Sequence, residues 1–192
     1  MSRSPDAMAA YLVLAARVTL GLVLLASIIT KIRGRGAFAE FLGWLRRLAV
    51  VPTRLVVAVG VAMVLAEASA LVLLAVPAAY PAGLALAAGM TACFAAAIGW
   101  IRRRGVLVPC RCFGRATAPM GPVEIVRNVV LTAMGATAAI GAQLGPFPSP
   151  SPAVVAQAAL LGGGIAMGAV RLDDVVRLFA RAGASAHVTE RG

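Results

Sequence analysis

The chain has 192 residues, 61% of them hydrophobic and only 13% charged, with 18 Lys and Arg against 7 Asp and Glu for a net charge of +11. A soluble domain is about 45–50% apolar and about 25% charged, and a chain this short could not bury so much apolar surface. These numbers exclude a water-soluble enzyme, a disordered chain and a disulfide-stapled miniprotein, and leave an integral membrane protein.

Five apolar stretches are long enough, or nearly so, to cross roughly 30 Å of hydrocarbon at about 1.5 Å per residue. They cover residues 8–30, 53–76, 82–101, 122–142 and 153–170, the last being shorter and rich in glycine. Ala and Leu dominate them without two-residue alternation, which predicts helices rather than barrel strands. The expectation is an all-α, polytopic helix bundle with four core transmembrane helices and a fifth. The first stretch is longer than a signal-peptide apolar region, lacks an A-x-A site and is followed by Lys31, Arg33 and Arg35, so it reads as a retained anchor. Between the first two spans, Phe38, Phe41, Leu42, Leu45 and Leu48 recur at helical spacing with Glu40, Arg46 and Arg47 between them. That pattern predicts an amphipathic surface helix with Trp44 as an interfacial anchor, ended before Pro52. The connections at 77–81 and 145–152 are Pro-rich and uncharged, and a basic tail over 171–192 is expected to form a surface helix and then fray. No internal repeat or separate soluble domain is visible, so residues 1–192 read as one membrane domain.

The basic residues sort by loop. Lys31, Arg33, Arg35, Arg46, Arg47 and Arg54 fall in the first, Arg102, Arg103, Arg104, Arg111 and Arg115 in the third, and Arg171, Arg177, Arg181 and Arg191 in the tail; the second and fourth hold none. Five spans put all three basic regions on one side. Because Arg and Lys accumulate in cytoplasmic loops, this predicts a cytoplasmic basic face and an outside N-terminus; Arg3 alone dissents. The charge is thereby a topology signal and does not call for nucleic acid.

Cys93 lies within the third span between Ala92 and Phe94 and reads as a small packing residue. Cys110 and Cys112 differ, because they stand one residue apart in the basic third loop, as Pro109-Cys110-Arg111-Cys112-Phe113-Gly114. Cα atoms at that spacing are roughly 5.5–7 Å apart, overlapping the reach of a disulfide, and so small a ring would be strained and labile. Arg111, Arg115, Arg102–Arg104 and the N-terminus of the helix entered at Pro122 make the surroundings electropositive, which favours the thiolate. A dithiol that cycles with a partner's disulfide is one reading. The others are a structural disulfide or inert thiols, and half of a zinc or iron–sulfur site, which would need about four ligands when only Cys93 and His187 remain to help; no metal is assigned.

Two ionisable residues lie deep in the spans. Arg17 is about 14 residues from Lys31 and Glu67 about 14 from Thr53, so counting from the basic edge predicts one depth, roughly 21 Å in, and an Arg17–Glu67 ion pair or shared polar cavity. It would serve as an interhelical clamp or as a site for a quinone headgroup or proton. Glu124 and Arg127, at i and i+3, can pair at the start of the fourth span, with Arg127 near the thiol loop. Gly164 and Gly168 form a weak G-x-x-x-G packing signal.

Taken together, these residues resemble the methylamine utilisation protein MauE family, which groups with DoxX-like small membrane proteins. The resemblance rests on Cys110-Arg111-Cys112-Phe113-Gly114, on Arg17 with Leu20-Gly21, on Ser27 and Lys31, on Ala37-Phe38 followed by Pro52, on Glu67, and on Arg127-Asn128, and it covers roughly residues 12–142. It implies a redox-associated multi-pass protein of the bacterial plasma membrane, working with a thioredoxin-like partner in maturation of a disulfide-rich subunit such as that of methylamine dehydrogenase. Cys110 and Cys112 would exchange electrons, with Arg111 and Arg127 tuning the thiolate. The alternatives are a non-enzymatic assembly subunit of a membrane complex, or a DoxX-like protein linked to a quinone or small molecule. Disulfide maturation happens outside the cytoplasm, yet the charge rule puts Cys110 and Cys112 inside. The topology is inverted, electrons cross the membrane from a cytoplasmic reductant, or the partner is cytoplasmic.

Overall fold

A computed structural model of the chain describes residues 4–34, 36–48, 51–105, 122–143 and 151–189, with side chains between 8 and 171. The described residues are all helical or connecting, with no strand. The elements are α1 (Ser4–Ile32), α2 (Ala37–Arg47), a single 3₁₀ turn (Thr53–Leu55), α3 (Val56–Ala75), α4 (Tyr80–Arg103), α5 (Pro122–Gly141) and α6 (Pro152–Thr189). Five of these are long and apolar enough to cross a membrane, over Met8–Ile32, Thr53–Ala75, Tyr80–Arg103, Pro122–Gly141 and Pro152–Arg171. The spans expected from sequence agree to within a few residues. The tail departs from expectation, because α6 runs on without a break past residue 170 to Thr189.

Helix α1 is the hub. It packs against α6, α3 and α5 and also touches α2 and α4, while α4 lies along α5 and α3 along α4. Half of its apolar window is buried, against 22% for α3 and 17% for α6, whose remaining surface faces outward. Val13, Ala16, Leu20, Val23 and Leu24 of α1 form one core with Ala70, Leu74, Leu84, Ala87 and Leu131. Small residues set the spacing, since in lipid the helices gain most by close packing. A Cβ on Gly162 of α6 would lie 2.7 Å from the carbonyl oxygen of Ala15. The buried Thr19 hydroxyl also reaches the Gly162 carbonyl at 3.1 Å. The expected packing pair plays no such part: a Cβ on Gly164 or Gly168 meets nothing within 4 Å.

The amphipathic helix is present where the pattern placed it. The chain turns into α2 through Gly36, whose φ of 96° suits glycine. Phe41, Leu42, Trp44 and Leu45 are buried against Val56 of α3 and Ile98 and Ile101 of α4, while Arg46 and Arg47 are exposed. Helix α2 thus seals the basic end of the bundle above α1, α3 and α4.

Candidate functional site

Beneath α2 the helices enclose a polar centre. Glu67 of α3 and Lys31 of α1 are each 1% exposed. They form a salt bridge, Lys31 Nζ to Glu67 Oε1, at 2.5 Å. Ser27, one turn below Lys31 on the same face of α1, accepts from Lys31 Nζ at 2.6 Å and donates to Glu67 Oε1 at 2.9 Å. Lys31 Nζ also lies 5.4 Å from the ring centre of Phe41, so α2 supplies a π face over the ammonium. Carrying two buried charges in hydrocarbon is tolerable only because each has a partner and directed hydrogen bonds.

Glu67 uses one oxygen for this network. Its other oxygen, Oε2, is buried with no hydrogen-bond partner among the described residues. A cavity of about 30 Å³ adjoins it, whose polar lining is Ser27, Glu67, Thr91, Arg127 and Asn128. That is room for a water molecule, which needs at least about 10–15 Å³ and two or more polar partners. On the far wall, Asn128 Nδ2 donates to the Glu124 carbonyl at 2.7 Å. The Thr91 and Thr132 hydroxyls lie 2.8 Å apart, tying α4 to α5. Arg127 is buried and its Nη1 donates to the Ala169 carbonyl of α6 at 3.5 Å. Four helices contribute to one water-sized polar chamber.

The expected Arg17–Glu67 pair is therefore corrected. Arg17 Nε donates to the Leu74 carbonyl and Nη2 to that of Ala75 at 2.9 Å, with the guanidinium 5.1 Å from the Tyr80 ring centre. It caps the C-terminal end of α3, where carbonyls without intrahelical partners favour a cation. Glu67 is seven residues earlier, roughly 10 Å away along the axis. The count failed because it treated Lys31 as the membrane edge. Lys31 is buried inside the bundle, which shifts the α1–α3 register so that Ser27, not Arg17, stands level with Glu67. Nor is the cavity shared: Glu67 lines it and Arg17 does not. A second correction concerns Cys93, which is exposed on the outer surface instead of packed in the core.

Cys110, Arg111 and Cys112 lie outside the described residues, as do the side chains of the tail, including His187. The segment that carries the three runs from the end of α4 to the start of α5. Among the described residues no group of three or more His, Cys, Asp or Glu side chains could hold a metal. From sequence, Lys31 counts as a cation of the first loop and, with Ser27, as part of the family resemblance; their i, i+4 spacing, which puts both on one face of α1, was the available signal that they act together.

Five apolar helices, four of them lining a buried polar centre beneath an interfacial helix, define a multi-pass α-helical membrane protein. More narrowly, the chain belongs to the methylamine utilisation protein MauE family, whose model matches residues 9–141. The match takes in α1 to α5, every residue of the polar centre and the Cys110–Cys112 segment, and stops before α6. No curated protein and no solved structure matches the chain significantly.

Proposed function

We propose that this protein is a membrane thiol–disulfide redox protein, in which Cys110 and Cys112 exchange with a thioredoxin-like partner during maturation of a redox protein of the methylamine dehydrogenase type. The observation that supports the reading is that the C-x-C segment joins two helices, α4 and α5, which both line the chamber, through Thr91 and through Arg127 and Asn128. The family's link to methylamine utilisation supports the same reading. The thiolate of one cysteine attacks a disulfide sulfur of the partner, forming a mixed disulfide and releasing the partner's second sulfur as a thiolate that takes up a proton. The other cysteine, losing its proton, then attacks its neighbour in the mixed disulfide. This chain's pair ends oxidised, the partner's pair ends as a dithiol, and two electrons and two protons have passed to the partner. A second thioredoxin-like dithiol resets the pair by the reverse steps. Arg111 and Arg127 supply the positive potential that favours the thiolate. The protein acts in the bacterial plasma membrane with the C-x-C segment on the basic, cytoplasmic face, so the thioredoxin-like partner it exchanges with is cytoplasmic and the electrons reach the maturing protein across the membrane.

Trapping tests this directly. Cys112→Ser should hold a partner covalently through Cys110, or Cys110→Ser through Cys112, released by reductant on a denaturing gel. Failure of both variants to trap, with both thiols remaining reduced in cells, would sink the redox role. Full function of a Cys110→Ala/Cys112→Ala protein would transfer the case to an assembly subunit.

A further inference from the structure

Between α2, α3 and α4 the structure holds a groove that shares Met90, Phe94 and Ile98 with the wall of the polar chamber but none of the chamber's polar groups. It has a volume of about 660 Å³. Val59 and Met63 of α3 form one wall, Cys93 and Phe94 of α4 the other, and Trp44 and Leu48 of α2 close the top. It runs along α4 from Ala85 to Ile101, roughly 24 Å. That exceeds one leaflet of a hydrocarbon core about 30 Å thick, so the groove descends from the interface past the midplane. Its lining is almost wholly apolar, as a lipid chain requires.

The charge beside the groove marks its top as more than a greasy cleft. Arg46 and Arg47 at the end of α2 and Arg54 at the start of the second span are all exposed and stand in sequence among the groove-lining Trp44, Leu45, Leu48 and Val51. The one acidic residue of α2, Glu40, is in its first turn, away from them.

We propose that this groove is a specific site for an anionic glycerophospholipid. Its acyl chains fill the apolar trough and its phosphate meets Arg46, Arg47 and Arg54. The charge of the rim selects this occupant over a neutral lipid or a quinone, neither of which would gain from three arginines. The site stands independently of the redox reading.

The test uses the full chain in nonionic detergent with Trp100→Phe, which leaves Trp44 as the sole indole. Phosphatidylglycerol and phosphatidylcholine with brominated chains are titrated separately while Trp44 fluorescence is followed. Phosphatidylglycerol should half-quench at a much lower concentration, and Arg46→Gln/Arg47→Gln should raise that concentration about thirtyfold, the contribution of two arginines at a membrane surface. Ala97→Leu, which fills the groove, should weaken quenching by both lipids. The proposal is overturned by equal quenching from the two lipids, by a headgroup preference that survives loss of the arginines, or by a short-chain quinone that quenches where phosphatidylglycerol does not. Arg46 and Arg47 are exposed, so the double variant tests the site even if Ala97→Leu fails to fold.

Discussion

Glu67 shows how a single carboxylate is accommodated inside a membrane protein. One oxygen takes both Lys31 and Ser27, and the other is buried without a partner among the described residues, in a side chain that lines the chamber. Removing one partner of such a pair leaves a buried charge alone, whereas removing both leaves apolar packing. Lys31→Met or Glu67→Leu alone should each cost about 3–5 kcal/mol, and Lys31→Met/Glu67→Leu should recover much of it. Thermal unfolding in detergent across the four proteins measures this as a coupling energy. Arg17 belongs to a separate interaction at the other end of α3, so Arg17→Met and Glu67→Gln should add within about 0.5 kcal/mol. A large coupling between those two would restore the ion pair that the geometry rejects.

At the scale of the element, α6 is held to α1 by one close approach. Ala15 and Val18 leave no room for a side chain on Gly162, whereas Gly164 and Gly168 face open space. Gly162→Leu should therefore lower stability by about 1–3 kcal/mol as the helices are forced apart. Gly164→Ala and Gly168→Ala should be neutral or slightly stabilising, since alanine is the better helix former. Thermal melts of the three variants in one detergent compare them. The reading of G-x-x-x-G as the packing motif failed because spacing alone does not say which side of a glycine-rich helix meets a neighbour. The amphipathic α2 was legible because Phe41, Leu42, Leu45 and Leu48 repeat along one side with Arg46 and Arg47 on the other, and that pattern is itself the physical cause of its position.

At the scale of the whole molecule, the C-terminal ends of α1 and α4 both lie against α2, through Lys31 and through Ile98 and Ile101. Impermeant maleimide in a Cys93→Ala background should label Cys110 and Cys112 in inverted vesicles and not in intact cells. Labelling in intact cells would invert the topology and bring the pair to the compartment where disulfides mature.

The five spans, the interfacial helix and the presence of costly intramembrane charges were determined by composition and periodicity, because hydrocarbon tolerates only helices with satisfied backbones in a chain of this kind. The family followed from a handful of residues: the C-x-C with Phe113-Gly114, Arg17 with Leu20-Gly21, Ser27 and Lys31, Ala37-Phe38 with Pro52, Glu67, and Arg127-Asn128. What only the tertiary structure decided is which charges meet. A helix places its residues along one axis, but the register between two helices depends on how their side chains pack. The register sets Glu67 against Ser27 and Lys31, ten and fourteen residues from Arg17 along α1, and sets Arg17 at the end of α3. The same packing gathered residues far apart in sequence into one chamber and left Cys93 on a lipid-facing groove.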